Sequence, residues 1–261
     1  SRRHGYLLNL LGIRQVAVLV NKMDLVDYQE ARFQQIEAEY RQWLASIGLV
    51  PKLFIPIAAK HGDNIATRSP NMPWWSGPTV LDTLDDFRVA EAPQNQPLRF
   101  PIQDVYRFDE RRILAGRVEA GSIKVGDRLL FCPGNKVSAV KSIERWSAPA
   151  TDRADAGESI GITLTEQIFV ERGAVAVLES APPYELTKFK ARLFWLGRQP
   201  FRLNRSYKLK LATQEVECSI DSIQRVLDAS TLDTLSRPAE QQHVGRHEVA
   251  ELTLHTKRPV A

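Results

Sequence analysis

Asn21, Lys22 and Asp24 end an apolar run in the stretch VAVLVNKMDLVD, Val16 to Asp27. A second apolar run, LFIPI, ends in Ala58, Ala59 and Lys60. A carboxylate such as Asp24 can accept two hydrogen bonds side by side. That matches a purine offering a ring N–H next to an exocyclic amine, which is guanine. Adenine presents a bare ring acceptor there and leaves the carboxylate unpaired, at a cost of roughly 1–3 kcal/mol and more for a charged group. Sites built on that asymmetry discriminate strongly. Asn21 can brace the loop and meet the imidazole edge of the base. The Ala59 N–H can donate to the exocyclic oxygen, and the stems of Lys22 and Lys60 can cover the two faces of the ring system.

These groups need elements to hold them. Val16 to Val20 is apolar on both faces, which predicts a central strand of a parallel sheet. Ligands bind outside the carboxyl ends of such strands. Two neighbouring strands ending in NKMD and AAK therefore aim at one crevice. Leu7, Leu10, Leu11 and Ile13 predict a short helix closed by Gly12. In DYQEARFQQIEAEYRQWLASIG, Asp27 and Glu30 make a capping-box-like start. Phe33, Ile36, Tyr40, Trp43, Leu44 and Ile47 form its apolar stripe, and Gly48 supplies the stop. TVLDTLDDF predicts a last short helix entered through Pro78. Strand, helix, strand, helix is half of a doubly wound α/β domain.

Glu91 to Pro97, EAPQNQP, is polar and proline-containing and predicts a linker. Beyond it come short valine- and isoleucine-rich runs: LRFPIQDVYRF, ILAGRVEAG, SIKVGDRLLFCPG, KVSAVKSIERW, ESIGITLT and GAVAVLE. Gly, Asp and Asn turns punctuate them, the pattern of a small antiparallel barrel. After APPYELT, the runs KFKARLFWL, SYKLKLA, EVECSIDSI and EVAELTLH make a further β block. The expected organisation is α/β plus all-β: an α/β domain over residues 1–92, then two small antiparallel β-barrels over 97–180 and 187–261.

The 261 residues are 43% hydrophobic and 25% charged, ordinary for a globular protein. The net charge of +4 is spread along the chain, so basicity alone makes no case for nucleic acid. No apolar stretch reaches membrane-spanning length, and no signal peptide opens the chain. Cys132 and Cys218 have neither zinc nor redox spacing, which points to a reducing, cytoplasmic compartment. His243 and His247 are four apart but flank a glycine and no acidic catalytic residue, so no metal site is expected there.

NKMD resembles the N-K-x-D signature of translation-factor-class GTPases, and AAK resembles their S-A-K, departing at Ala58 where the family has serine. Weaker affinity, with specificity kept, is the expected consequence. A P-loop, G-x-x-x-x-G-K-[ST], is absent; the spacing matches at Gly116 and Gly121 lack its lysine. No glycine has an aspartate three residues before it, so the D-x-x-G motif for magnesium and the γ-phosphate is absent too. The stretch is expected to read the base without holding phosphates or metal, and to be inactive alone. It also starts without methionine in a helix-like segment, and the last barrel of the family runs on past TKRPVA. An internal fragment is therefore expected, cut at both ends.

RRHGYLLNLLGIRQVAVLVNKMDLVDY, MPWWSGPTVLDTLD and ARLFWLGRQPFRLNRSYKLKLATQEVECSIDSIQRVLDASTLD are similar to the GTPase (large) subunits of sulfate adenylyltransferases, including the nodulation-type bifunctional form. Within that superfamily the resemblance covers nearly the whole chain. It implies GTP or GDP as cofactor, with magnesium ligands outside this stretch. It implies a small ATP-sulfurylase subunit as partner in a heterodimer, carrying ATP and sulfate, and allows an adenylylsulfate kinase domain downstream. GTP hydrolysis would drive AMP transfer from ATP to sulfate, giving adenosine 5′-phosphosulfate and pyrophosphate. No catalytic residue is assigned in this chain. Elongation factor 1-alpha shares much of the first two blocks, so an aminoacyl-tRNA carrier is one alternative. A non-catalytic interaction protein lacking its phosphate site is another. Trp74 and Trp75 are expected to pack between the α/β domain and a barrel, and Arg107, Arg111 and Arg112 to form a solvated hairpin tip.

Overall fold

A computed structural model describes residues 2–88, 93–107, 111–149, 151–238 and 242–261. The chain opens with α1 (Arg2–Leu10), β1 (Ala17–Val20), α2 (Glu30–Ser46), β2 (Leu53–Pro56) and α3 (Val80–Asp85). β1 and β2 pair in parallel, Ala17 opposite Leu53 and Val20 opposite Pro56, so both strands end at the same edge. Gly48 stops α2 as expected: its φ of 76° is the left-handed region, and its N–H donates to Ala45 O.

Three local expectations are corrected. Asp27 does not cap α2; the cap is Gln29, with no side-chain cap bond. Asp27 (φ 51°) and Tyr28 (φ 55°) instead close a 3-10 turn over Met23–Val26, which displaces the helix start. α3 is capped by Thr79, whose hydroxyl accepts from Asp82 N while Asp82 accepts from Thr79 N, so Pro78 stands just ahead of the cap. β2 is covered on both faces, but Leu19 of β1 is 43% exposed, because β1 pairs only with β2 among the described residues.

Of the expected linker, residues 91 and 92 lie outside the described residues, and 93–97 contain neither helix nor strand. The next strands are β3 (Phe100–Arg107), β4 (Arg112–Arg117), β5 (Ser122–Lys124), β6 (Arg128–Cys132), β7 (Lys136–Glu144), β8 (Arg153–Asp155), β9 (Ser159–Leu164) and β10 (Val175–Leu178). Six of them close a barrel in the order β10-β3-β4-β9-β7-β6, and β5 pairs with β8 at its side. Phe100, Ile102, Leu114, Leu129, Phe131 and Ile162 fill the interior. Alternate residues along each strand point inward, so the spaced apolar residues of the sequence become one core.

The last block holds β11 (Leu186–Phe194), β12 (Phe201–Arg202), β13 (Tyr207–Leu211), β14 (Gln214–Asp228), β15 (His243–Val244) and β16 (Glu248–Val260). It takes the form of a four-stranded antiparallel sheet, β11-β16-β14-β13, and a β12-β15 ribbon. Sheet and ribbon share one core that includes Phe201, Ile220, Val244, Leu252 and Leu254. This block also reaches the α/β part: Leu227, Ala229 and Val249 are buried in the same cluster as Tyr6, Phe33, Trp43 and Leu44. Cys132 and Cys218 are both free and buried, and burial pushes the Cys132 thiol up to about 12. No helix among the described residues is long and apolar enough to cross a membrane.

Candidate guanine-reading site

The parallel register brings the loops that follow the two strands side by side. Ile57 N–H donates to Val20 O (2.9 Å), and Met23 N–H donates back to Ile57 O (3.1 Å). Met23, 1% exposed, plugs the floor between the loops. Lys22 sits at φ 70°, the left-handed turn that lets the chain leave the strand and enter the 3-10 turn carrying Asp24.

Asn21 joins the two loops. Its Oδ1 accepts from its neighbour Lys22 N–H at 2.7 Å and, across the crevice, from Ala59 N–H at 3.0 Å. The bracing role expected of Asn21 is thus visible as geometry. The Ala59 amide expected to meet an exocyclic oxygen is committed to Asn21. The following amide, Lys60 N–H, makes no hydrogen bond among the described residues. Ala58 is fully buried, its N–H and carbonyl pairing with Asp63 across the loop.

The Asp24 carboxylate is 20% exposed and accepts no hydrogen bond from the described residues. Its near neighbour is His61, with Nε2 3.8 Å from Oδ2, too long for a hydrogen bond. Both carboxylate oxygens therefore keep their acceptor capacity. A guanine edge with two adjacent donors fits such a group, while an adenine edge would leave it unpaired. Lys22 and Lys60 are exposed at the mouth.

Sequence reasoning missed the loop that supports this crevice, HGDN at residues 61–64. The Asp63 carboxylate is buried and accepts from Ser69 Oγ (2.5 Å) and from the Tyr28 hydroxyl (3.2 Å). Burial, and then the hydrogen bond to Asp63, push the Tyr28 hydroxyl above its ordinary value. Asn64 is fully buried at φ 57°; its Nδ2 donates to Pro56 O and its Oδ1 accepts from Ser69 N–H. Gly-Asp-Asn just after a strand is turn chemistry, which was the available signal. Trp74 and Trp75 contact Phe33 of α2 at 5.6 and 5.7 Å, and Trp74 Nε1 donates to Tyr28 O. Both pack on the buried cluster that joins the α/β part to Leu227, Ala229 and Val249 of the last β block, and not on the core of the closed barrel.

Arg107 pairs with Arg112 across β3 and β4, with residues 108–110 of the expected hairpin tip outside the described residues. The near P-loop spacings at Gly116 and Gly121 fall in and around β4 and β5. His243 is on a strand and His247 in a turn. Among the described residues no group of three or more His, Cys, Asp or Glu is gathered to hold a metal.

The chain is mostly β beyond residue 97, with a closed six-stranded barrel and a four-stranded sheet after the α/β part. Residues 188–261 match the family described as GTP-eEF1A C-terminal domain-like. The chain is similar to sulfate adenylyltransferase subunit 1 of Bacteroides fragilis, 37% identical over 239 residues, covering 91% of this chain and 50% of that protein. It is likewise similar to elongation factor 1-alpha of Thermoplasma volcanium, 37% identical over 242 residues, covering 90% of this chain and 57% of that protein. In structure it resembles Sup35 complexed with GDP, with a TM-score of 0.60 and 26% identity over 100% of this chain and 65% of that one. The chain thus spans about half the length of the curated relatives it matches.

Proposed function

We propose that this chain belongs to the GTP-binding subunit of a sulfate adenylyltransferase and supplies its guanine-reading crevice and its β docking blocks. The observation carrying the reading is the crevice itself: Asn21 ties the NKMD loop to Ala59, and Asp24 is held beside it with both oxygens uncommitted. Similarity to subunit 1 over 91% of the chain supports the sulfate assignment. Residues 1–92 would form the base-reading part of the GTPase domain, with β blocks at 97–180 and 187–261.

The chemistry gives a reason for a GTPase. A phosphate–sulfate anhydride is high in energy, so making adenosine 5′-phosphosulfate and pyrophosphate from ATP and sulfate needs coupling to a second favourable reaction. In this reading GTP hydrolysis supplies it, and a small subunit in the same cytoplasmic complex binds ATP and sulfate. This chain's residues select the nucleotide: Asp24 accepts from the ring N–H and exocyclic amine, Lys60 N–H donates to the exocyclic oxygen, and Asn21 holds both loops in register. Magnesium, when bound, would neutralise charge on the phosphates; the described residues provide no site for it. A kinase domain for the product, as in the nodulation-type form, is compatible with this reading.

The second reading is an elongation factor, favoured by the equal 37% identity to elongation factor 1-alpha. GTP turnover by the full-length protein, mixed with the small subunit encoded beside it, separates the two. A rise requiring both ATP and sulfate is expected. Turnover indifferent to them and stimulated by ribosomes would move the protein to translation.

A further inference from the structure

A cavity of about 330 Å³ lies between the barrel and the last sheet, and none of its lining residues belongs to the NKMD or AAK loop. Three cations on separate chain segments line it: Lys136 at the start of β7, Arg172 in the loop before β10, and Arg258 near the end of β16. Like charges drawn to one concave site repel, and low-dielectric walls sharpen the field they make. Two carboxylates also line the wall. Glu215 is already engaged by Lys208 at 2.6 Å and Lys210 at 3.7 Å, leaving Glu171 as the one uncommitted acid against three cations.

The cations keep donors in hand. Arg258 makes no hydrogen bond or ion pair among the described residues. Lys136 Nζ donates once, to Phe169 O at 2.6 Å, and Arg172 Nη1 once, to Gln103 O at 3.1 Å. An ammonium has three donors and a guanidinium five, so most remain available. Phe169 forms an aromatic wall that is 64% exposed, with the Arg112 guanidinium 5.0 Å and the Lys136 ammonium 5.8 Å from its ring centre. Gln214 also lines the cavity, held there by its Nε2, which donates to Pro259 O at 3.0 Å. The two blocks approach closely here: a Cβ on Gly173, whose φ of 96° already favours glycine, would lie 3.2 Å from Gln214 Cα.

Surplus positive charge and an exposed ring in one cavity describe a ligand with an anionic end and a flat apolar body. We propose that this cavity binds a small phosphate- or sulfate-bearing molecule of the nucleoside monophosphate class. The oxyanion is held by Lys136, Arg172 and Arg258, and the ring lies against Phe169. The volume is at the small end for ligand pockets, which suits a monophosphate better than a triphosphate. Ligand binding here would also tie the barrel to the last sheet, since its contacts come from both.

Calorimetric titration of the full-length protein at fixed ionic strength tests the proposal, with AMP, inorganic phosphate and sulfate as probes. AMP is expected to bind about tenfold more tightly than either inorganic ion, because only it uses the Phe169 wall. Arg258→Gln, which breaks no contact in the fold, is expected to weaken AMP about five- to tenfold, and adding Lys136→Gln to weaken it further. Asp24→Asn is expected to leave AMP binding here unchanged, separating this site from the purine crevice. AMP binding absent at matched ionic strength, equal to that of phosphate, or insensitive to the double substitution would overturn the proposal. So would saturable binding of an acidic peptide in its place.

Discussion

Asn21 and Asp24 show how much a single side chain can settle. The amide oxygen of one serves two backbone donors from two loops, and the carboxylate of the other accepts no hydrogen bond from the described residues. The bracing by Asn21 was legible from residue type and position, because a strand-end amide can accept from the loop of the neighbouring strand. His61, Asp63 and Asn64 were not, since a polar turn looks the same in sequence whether it faces solvent or underpins a site. A different residue, Glu248, gives the acid behaviour. Burial works against its charge, but Arg237 at 2.5 and 2.9 Å and the Gly245 N–H outweigh it and hold the carboxyl below its ordinary 4.5. A lowered folded value means that its stabilisation is complete above about pH 4.5 and is lost as pH falls through that lowered value. Glu248→Gln is expected to cost about 2 kcal/mol at neutral pH, less than a fully buried pair. It should also flatten stability against pH below 4.5, as read by urea unfolding at a series of pH values.

At the scale of elements, the long apolar runs became the expected strands because alternation fixes which face is buried. Of the four strands of two or three residues, β8, β12 and β15 carry too few positions for any period and were invisible, while β5 fell within the run SIKVGDRLLFCPG. Asp27 was misassigned for a physical reason: aspartate suits both a helix cap and a left-handed turn, and the 3-10 turn beside the purine crevice took it for the second. α3 makes the opposite case. Thr79 and Asp82 reciprocate as a capping box on a helix of only six residues, which has little intrinsic stability. Thr79→Ala is expected to cost about 1 kcal/mol in chemical denaturation, and Thr79→Ser much less.

For the whole molecule, the telling feature is a core that joins residues far apart in sequence. Tyr6 and Trp43 of the α/β part share a buried cluster with Leu227 and Val249 of the last sheet and with Ala229 in the turn after β14. No periodicity in either segment discloses that, because each shows only that it has an apolar face. The arrangement makes the last sheet a structural support for the α/β part. Val249→Asp places a carboxylate in a fully buried position and is expected to cost about 3–5 kcal/mol. The loss should appear in the fluorescence of Trp43 and Trp74, which belong to the α/β part, as well as in the unfolding of the sheet. A transition confined to the last sheet would contradict the shared core.

Base selectivity is the most direct test of the purine crevice. Equilibrium competition by GDP, ADP and XDP should be measured on the full-length protein and its Asp24→Asn variant. GDP is expected to bind at least about a thousandfold more tightly than ADP, since adenine leaves Asp24 unpaired. In the variant an amide N–H faces the base, so GDP should weaken by about a hundredfold while XDP, with a carbonyl at that edge, gains. ADP competing as well as GDP, or a variant with unchanged preference, would mean that Asp24 does not read guanine.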